Sequence, residues 1–364
     1  MKLTIQLQLL PSAEQAASLL DTMRRFNEAA SFAAQQGFAT GVFSQPSIHK
    51  LSYTAIRSRF GLSAQLAVRA IGKAVEAFAC DKTICPVFRP DGAITYDQRN
   101  LSFKGLDRVS LATLQGRQII PLIYGEYQAE RFDRIKGQCD LVHRDGKFYL
   151  LATIDLPEPP PIEVKDFIGV DLGIVNIATT SEGQTFSGEK VEKVRRRSSR
   201  ARQTYQRRST RSARRRLRKM ARRQGRFQRN ENHCIAKELV EQAKALGVGI
   251  AIEDLKGIRF RTEKTVSRSV RRRIGNWSFF QLRSFVEYKA RLAGIPVVAV
   301  DPRNTSRTCS RCGHCEKANR KSQSEFCCKQ CSYSLNADLN GAANIRLRAL
   351  GAPVNSPQLA AVQG

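Results

Sequence analysis

The sequence lacks any long uncharged hydrophobic run, and no window approaches the 18 or so apolar residues that a membrane-spanning helix requires. Residues 1–7 alternate like a strand and lack the apolar block and small-residue cleavage site of a signal peptide. We therefore expect a cytoplasmic protein with no membrane partner. The ten cysteines would then lie in a reducing compartment, where closely spaced pairs indicate metal binding rather than disulfides.

Acidic residues are too few to balance the basic ones in the second part of the chain. Residues 1–163 carry 19 Lys and Arg against 16 Asp and Glu, a net charge of +3. Residues 164–364 carry 42 basic and 16 acidic residues, a net charge of +26. Each phosphate that such a surface neutralises releases counterions and drives binding. The asymmetry favours a nucleic-acid partner over a small-molecule substrate, with ribosome association or simple solvation as the alternatives.

The basic charge is densest in residues 193–229, which contain 18 Lys and Arg and no acid. This stretch is predicted to lie helically along a polyanion, since guanidinium groups bind phosphate through forked hydrogen bonds. A solvated charged helix or a disordered basic segment is the alternative. A second basic cluster follows Glu253, as a further contact or as a mobile lid. The arginines expected to bind nucleic acid are Arg195, Arg196, Arg197, Arg207, Arg208, Arg214, Arg215, Arg216, Arg271, Arg272 and Arg273.

Three carboxylates stand where predicted strands or helices end. Asp171 and Glu253 each follow an apolar strand, and Asp338 begins the last predicted helix. Mg²⁺ prefers oxygen ligands, and two such ions about 3.5–4 Å apart can activate water and stabilise the leaving oxygen of a phosphodiester. The order of predicted elements around the acids fits an RNase H-like sheet. Singly, Asp171 could instead be a turn residue, Glu253 a salt-bridge partner and Asp338 a helix N-cap. Asp254 competes with Glu253 as the third acid.

Four cysteines form two C-x-x-C pairs, Cys309 with Cys312 and Cys328 with Cys331, with 15 residues between the pairs. The spacing is typical of a structural site in which four thiolates hold one Zn²⁺. Such a site leaves no open position for catalysis. Gly313 follows the first pair, as a tight knuckle needs. Neighbouring side chains that compete as ligands are His314, Cys315 and Cys327.

These motifs resemble those of the TnpB proteins of bacterial insertion sequences, relatives of compact type V CRISPR effectors. The resemblance covers most of residues 166–348 and is only loose over residues 1–160. The segments that carry it are 169–173 (Gly-Val-Asp-Leu-Gly), 252–255 (Ile-Glu-Asp-Leu), the helix from Trp277 to Lys289, 300–314 around the first cysteine pair, and 336–345 around Asp338.

The resemblance implies an RNA-guided DNA endonuclease encoded by a transposable element. Its partners would be a guide RNA from the element end and double-stranded target DNA beside a short element-adjacent motif, at the bacterial nucleoid. The three acids would be catalytic and would bind two Mg²⁺ ions, with Mn²⁺ as a substitute, and the four paired cysteines would bind one Zn²⁺. Ser332 departs from the family pattern, which often has glycine there, and Cys327 duplicates a neighbouring ligand position.

The expected fold is an α/β RNase H-like (RuvC) nuclease domain with an inserted zinc ribbon, plus an N-terminal β-barrel interrupted by a helical lobe. The expected boundaries are 1–160 for the barrel (wedge) with its helical recognition insert at about 11–80, 164–302 for the first part of the nuclease, 303–334 for the ribbon, 335–350 for the last nuclease helix, and 351–364 for a disordered tail.

Arg320 lies on the loop between the two cysteine pairs, shortly before Asp338. The ribbon is inserted between the predicted strand 295–300 and the helix that carries Asp338, so this loop would fold back over the metal site. A guanidinium there would stabilise charge that develops on the phosphate, and an Asn-Arg pair in this loop is familiar from TnpB-like ribbons. A contact with the DNA backbone is the equal alternative.

Three other functions stay open at this point. A catalytically silent RNA-guided DNA-binding protein would bind its target without cutting it, and the intact set of acids argues against it. A zinc-ribbon RNA-binding protein without catalysis would need no carboxylates at strand ends. A transposase that joins strands would use similar metal chemistry, and independence from a guide RNA would distinguish it.

Overall fold

The structure is a computed structural model that describes residues 1–208, 210–255, 278–322 and 324–351. The chain divides into two compact units, Met1–Pro157 and Glu158–Gly364. The division falls in the proline-rich segment 157–161, where consecutive prolines can continue neither a helix nor a sheet. Among the described residues, no helix is long and apolar enough to cross a membrane. The basic residues Arg271, Arg272 and Arg273 and the tail from residue 352 lie outside the described residues.

A seven-stranded antiparallel sheet forms the frame of the first unit, in the order β2-β6-β7-β1-β5-β4-β3. It is nearly closed, because its edge strands β2 and β3 follow each other in the chain and the Tyr96 hydroxyl donates to the Ala112 carbonyl at 2.9 Å. Asp145 and Gly146 have positive φ angles in the turn between β6 and β7, as a tight hairpin turn requires. The strands are β1 Lys2–Leu9, β2 Ile94–Tyr96, β3 Leu101–Lys104, β4 Arg108–Thr113, β5 Gly116–Ile123, β6 Ile135–Arg144 and β7 Lys147–Asp155.

Three helices are inserted between β1 and β2 and pack against one another. The side chain of Ser12 caps the first helix in a capping box with Gln15. Gly41 and Gly61 end the first two helices with φ angles of 67° and 66°, which glycine adopts without strain. The helices of this unit are α1 Ala13–Thr40, α2 Gln45–Phe60, α3 Ala64–Cys80 and the short α4 Glu126–Ala129.

A five-stranded sheet in the order β10-β9-β8-β11-β12 organises the second unit. Strands β8, β9 and β10 are joined antiparallel, whereas β11 lies parallel to both β8 and β12. Ile252 pairs with Val170, so Glu253 and Asp171, the next residues of their strands, emerge at the same edge of the sheet. The strands are β8 Phe167–Asp171, β9 Asn176–Thr180, β10 Thr185–Ser187, β11 Gly249–Glu253 and β12 Val297–Val300.

Helices cover both faces of this sheet. On one face, Leu239 and Leu282 join a core with Ile250, and on the other, Ile345 packs with Phe167 and Ala251. The second half of the basic stretch and the helix that enters the core form one continuous helix, which Thr210 caps. This helix therefore continues past residue 229, where the basic stretch ends. The described helices of this unit are α5 Glu189–Arg208, α6 Arg211–Leu246, α7 Phe279–Leu292 and α8 Ala337–Leu350.

The last helix, α8, packs backbone to backbone against β8. A Cβ atom on Gly169 would lie only 2.0 Å from the carbonyl oxygen of Ala342, so only glycine allows this approach. Between β12 and α8 the chain forms the ribbon, whose strands β13 Glu325–Cys327 and β14 Ser334–Asn336 pair antiparallel. The helix that carries Asp338 is therefore held directly against the strand that carries Asp171.

Candidate active site and cysteine cluster

Asp171, Glu253 and Asp338 lie close enough to influence one another electrostatically. The side chains of Glu253 and Asp338 are buried, each in a residue only 7% exposed, and Asp171 is half-buried. Burial, followed by the negative charges of Glu253 and Asp338, raises the pKa of the Asp171 carboxyl to about 8. Three carboxylates that repel one another at the edge of a sheet form a site that divalent cations would stabilise.

Two asparagines, one on β9 and one at the start of α8, hold Asp338 in place. Asn176, at the start of β9, donates from Nδ2 to Oδ2 of Asp338 at 2.8 Å. Asn336 is the N-cap of α8, and its side chain accepts from the backbone N–H of Asp338 at 2.9 Å. The alternative interpretation of Asp338 as the helix N-cap is therefore wrong, because Asn336 has that role and leaves the Asp338 carboxylate to the acid cluster.

The structure distinguishes Glu253 from its neighbour Asp254. Asp254 accepts a hydrogen bond from Nη1 of Arg283 at 2.7 Å, and Arg283 also donates to Glu287 at 2.7 Å. Glu253 instead accepts from the Thr305 hydroxyl at 2.5 Å and is the stronger of the two carboxylate influences on the pKa of Asp171. Glu253 is thus the member of this pair that belongs to the acid cluster.

Arg320 lies beside the acids. Its Nη2 atom is 3.8 Å from Oδ1 of Asp338, and its positive charge acts to lower the pKa of Asp171. The backbone of Arg320 bridges to Phe326 of β13, which fixes the base of the loop. The loop between the two cysteine pairs therefore brings a guanidinium to the edge of the acid cluster.

The four paired cysteines converge on one point. Sγ of Cys309 lies 3.7 Å from Sγ of Cys331, Sγ of Cys312 lies 3.6 Å from Sγ of Cys328, and all four sulfurs are within 4.8 Å of one another. A tetrahedral ion with Zn–S bonds of about 2.3 Å separates its ligands by about 3.8 Å, so this geometry fits zinc. Within the described part of the chain, no other group of three or more His, Cys, Asp or Glu side chains brings its ligand atoms this close together. The three carboxylates of the acid cluster are also farther apart than the four sulfurs.

The local backbone makes a tight turn after each pair. Burial raises the pKa of the Cys328 thiol, but the N–H groups of Cys331 and Gln330 and the neighbouring thiols outweigh it and lower the pKa to about 6. The backbone of His314 lowers the pKa of the Cys312 thiol, but the other three thiols and burial outweigh it and raise the pKa to about 12. After the pairs, Gly313 and Ser332 have φ angles of 78° and 55°. A left-handed residue is needed at both places, which explains why glycine would suit position 332.

The three competing side chains lie outside the cluster. His314 contacts Glu316 through Nε2 at 3.2 Å, and Cys315 forms a backbone bridge with Thr308. Cys327 is half-buried on β13 and is not among the converging sulfurs. The spacing rule therefore selected the four residues that the fold brings together.

The basic stretch forms the helices α5 and α6, which pack against each other. Glu192, one residue before the stretch, accepts a forked pair of hydrogen bonds from Arg195 at 2.6 and 2.7 Å and a third from Arg196 at 2.9 Å. These bonds, those from Arg195 first, lower the pKa of Glu192 to about 2. The two arginines are thus partly neutralised within the fold. The arginines of this group with exposed positions are Arg196, Arg197, Arg207, Arg208, Arg214, Arg215 and Arg216.

Sequence reasoning did not find three residues that shape the acid cluster: Asn176, Thr305 and Gly341. Asn176 donates to Asp338, Thr305 donates to Glu253, and a Cβ atom on Gly341 would lie 3.3 Å from Oδ2 of Asp171. Thr305 and Gly341 stand inside motifs that were recognised. The motifs show that Thr305 and Gly341 belong to the family pattern. Only the tertiary structure shows which side chain each of them contacts.

Two family models match the chain. A model described as the Cas12f1-like TNB domain matches residues 279–345, and one described as a probable transposase, OrfB_IS605, matches residues 150–259.

Among curated relatives, Cas12f1 of Sulfoacidibacillus thermotolerans is 29% identical over 246 residues, which are 62% of this chain and 55% of that protein. The putative RNA-guided DNA endonuclease InsQ of Escherichia coli K12 is 30% identical over 218 residues, 55% of this chain and 53% of that protein. The TnpB-like protein MJ0751 of Methanocaldococcus jannaschii is 36% identical over 113 residues, 31% of this chain and 40% of that protein.

The chain is similar to TnpB and Cas12f proteins over part of its length. It matches about half the length, or less, of the curated relatives named above. A Cas12f1 chain solved in complex with sgRNA and target DNA has a TM-score of 0.65 at 14% identity, with 95% of this chain and 98% of that chain covered. The mini-RNA-guided endonuclease CRISPR-Cas_phi3 has a TM-score of 0.54 at 12% identity, with 98% and 94% covered. At these identities the structural likeness concerns the fold.

Proposed function

We propose that this protein is an RNA-guided DNA endonuclease of the TnpB family, and that its second unit is an RNase H-like (RuvC) domain that hydrolyses phosphodiester bonds. The observation that carries the proposal is the convergence of Asp171, Glu253 and Asp338 at one edge of a sheet, next to a positively charged loop. Carboxylates that come from three separate segments and repel one another are costly for a fold. They are the arrangement that two-metal hydrolysis needs.

The topology of the second sheet supports the RNase H-like assignment. Three antiparallel strands are followed by two strands parallel to the first, with α6 between β10 and β11 and α7 before β12. The likeness to the Cas12f1 chain supports the same fold class. In this interpretation residues 164–302 and 335–350 form the nuclease domain, residues 303–334 the zinc ribbon, and the first unit a wedge barrel with a helical recognition lobe.

Asp171, Glu253 and Asp338 would hold two Mg²⁺ ions, or Mn²⁺ in their place, and the four paired cysteines one structural Zn²⁺. The divalent ions would supply the activated water and would stabilise the leaving oxygen. The residues of the chain orient the reacting groups. Asn176 fixes one oxygen of Asp338, and Arg320 lies where its charge can reach a phosphate bound at the acids.

The proposed partners are a guide RNA from the end of the element and double-stranded target DNA beside a short element-adjacent motif. InsQ, a similar protein, is named a putative RNA-guided DNA endonuclease, and the Cas12f1 neighbour was solved with sgRNA and target DNA. The charge of this chain supports partners of the same kind, because its net +29 lies almost wholly in residues 164–364. A DNA target would bring the protein to the nucleoid.

A catalytically silent DNA-binding protein is the second candidate, and a zinc-ribbon RNA-binding protein is the third. Neither has a use for two buried carboxylates and a third half-buried one that repel one another, nor for Arg320 beside them. A protein that only binds nucleic acid would be more stable if these acids were replaced by neutral residues. The acid cluster therefore favours catalysis.

The decisive experiment identifies the guide first. The chain is expressed together with the DNA that flanks its gene, and the RNA that copurifies is sequenced. A plasmid library that carries the matching target beside randomised bases is then incubated with the RNA–protein complex in Mg²⁺. The proposal predicts cutting of the matched plasmids that carry one short neighbouring sequence. Binding of the matched plasmids without cutting would instead establish the silent protein.

A further inference from the structure

The root of the ribbon, residues 305–310, touches the acid cluster through Thr305, a buried side chain that is 4% exposed. Its hydroxyl lies 2.5 Å from Oε1 of Glu253 and 3.1 Å from the carbonyl oxygen of Pro302. A hydroxyl has one proton to donate. The contact to Glu253 is the shorter and therefore the stronger bond, so the proton goes to Oε1 of Glu253.

Two asparagines of α8 hold this part of the ribbon in place. Asn344 donates from Nδ2 to the carbonyl oxygens of Thr305 at 2.8 Å and Thr308 at 2.6 Å. Asn340 donates to the Thr308 carbonyl at 2.9 Å and accepts from the backbone N–H of Ser310 at 3.1 Å. The same helix carries Asp338. Helix α8, the root of the ribbon and Glu253 are therefore joined by one series of hydrogen bonds between buried or half-buried groups.

We infer that Thr305 is a positioning residue that orients the Glu253 carboxylate for metal binding, and that the folded ribbon keeps Thr305 in position. The inference rests on the proposed function. A glutamate side chain that repels two neighbouring carboxylates has rotamers that turn away from them. A hydrogen bond to Oε1 removes that freedom and directs the carboxylate toward the ions. Partners of this kind, one bond removed from a metal, typically contribute 10–100-fold to metal affinity or activity.

The same contacts give the ribbon a role beyond its own fold. Cys309, the first ligand of the cysteine cluster, directly follows Thr308, whose carbonyl the two asparagines bind. Loss of the ion would loosen the segment 305–310 and so release Glu253. The four cysteines and the acid cluster are thereby coupled, although no cysteine belongs to the acid cluster.

The test compares Thr305→Val, which removes the hydroxyl and keeps the shape, with Thr305→Ser, which keeps the hydroxyl. Thr308→Val is the matched control, because the Thr308 hydroxyl bonds only within its own turn, to the Asn304 carbonyl, among the described contacts. Mn²⁺ affinity of the purified chain is measured from the signal of the free ion in electron paramagnetic resonance. The Mg²⁺ concentration that gives half-maximal plasmid cutting is measured on the RNA–protein complex.

Thr305→Val is expected to weaken Mn²⁺ affinity, and to raise the Mg²⁺ requirement, by about tenfold or more. Thr305→Ser and Thr308→Val should match the wild type, and all variants should keep about one zinc per chain. If the valine variant loses its zinc or fails to fold, Thr305→Ala removes the same hydroxyl with a smaller side chain. Unchanged metal dependence in a folded Thr305→Val or Thr305→Ala, while the wild type binds Mn²⁺ and cuts, would overturn this inference alone. A wild type that neither binds Mn²⁺ nor cuts would overturn the proposed function together with it.

Discussion

Gly341 of α8 lies directly against the carboxylate of Asp171: a Cβ atom added there would be 3.3 Å from Oδ2 and 3.4 Å from Cγ. Distances of this size are tighter than ordinary packing, so any larger residue would push the carboxylate away. Together with Gly169, which admits the helix backbone to β8, this contact sets the separation between Asp171 and Asp338. The distance between Asp171 and Asp338 thus depends on glycine at positions 169 and 341, where a side chain would force the two elements apart.

Gly341→Ala is therefore expected to slow cutting severalfold with little loss of stability, because the carboxylate would have to move by a few tenths of an ångström, less than the displacement of about 1 Å that costs about 10²-fold. Gly72→Ala is the control, because nothing lies within 4 Å of a Cβ atom at that helical position. The control should cut normally and gain about 0.5–1 kcal/mol in the free energy of unfolding. The measurement is single-turnover cleavage with thermal unfolding of both variants, and equal cutting rates would refute the role given to Gly341.

Arg320 is expected to act on the reacting phosphate. Arg320→Ala should slow single-turnover cleavage by about 10²-fold or more, the effect of losing one preorganised donor, with little change in target affinity. Lys321→Ala is the control on the same loop, because Lys321 is exposed and pairs with Glu325 at 3.3 Å. Weaker binding with a smaller salt dependence, and a normal rate at saturating complex, would instead identify Arg320 as a contact to the DNA backbone.

Cys309→Ser or Cys328→Ser should release zinc, destabilise the ribbon and lower activity indirectly. Structural zinc contributes free energy on the order of 10 kcal/mol in small zinc domains. Cys315→Ser should have neither effect, since Cys315 lies outside the cluster of sulfurs. Elemental analysis beside thermal unfolding checks this. Metal-free protein with full activity would rule out a structural zinc site.

Ser332 is expected to be a strained position. Its φ angle of 55° lies in the left-handed region, which costs a residue with a side chain roughly 1–2 kcal/mol. Ser332→Gly should raise the free energy of unfolding by up to about 1 kcal/mol after the added flexibility of the unfolded chain is subtracted. Gly313→Ser, at φ 78° in the matching turn, should lower it. A glycine at 332 that destabilises the ribbon would contradict this account.

The sequence was sufficient to predict those site residues that are marked by a short spacing or by the end of a strand. The cysteine spacing selected the four converging sulfurs, and the apolar runs before Asp171 and Glu253 marked the strand ends. It was not sufficient where a contact joins distant parts of the chain. Thr305 lies 52 residues from Glu253, and Asn176 lies 162 residues from Asp338. No local pattern records such a pair, because each residue alone looks like an ordinary turn or strand residue.

The basic helices also show where prediction from the sequence was insufficient, because a contact just outside the chosen stretch changes which arginines are free to bind phosphate. The sequence predicts Arg195 and Arg196 as phosphate contacts because their stretch contains no acid, yet both bond to Glu192, the residue just before it. Helical spacing places residues three and four positions apart beside each other. A window that began a few residues earlier would have found the pairing. The exposed arginines from Arg197 onward are therefore better candidates for phosphate contacts than Arg195.

The most direct test of the central claim is single-turnover cutting of a matched plasmid by the RNA–protein complex in Mg²⁺, with Asp171→Asn, Glu253→Gln and Asp338→Asn beside the wild type. Asp254→Asn is the control, since Asp254 pairs with Arg283. We expect the wild type and the Asp254 variant to cut, and the three acid variants to bind the target as tightly as the wild type without cutting it. Robust cutting by any of the three variants would remove that residue from the site, and cutting by all three would contradict the account as a whole.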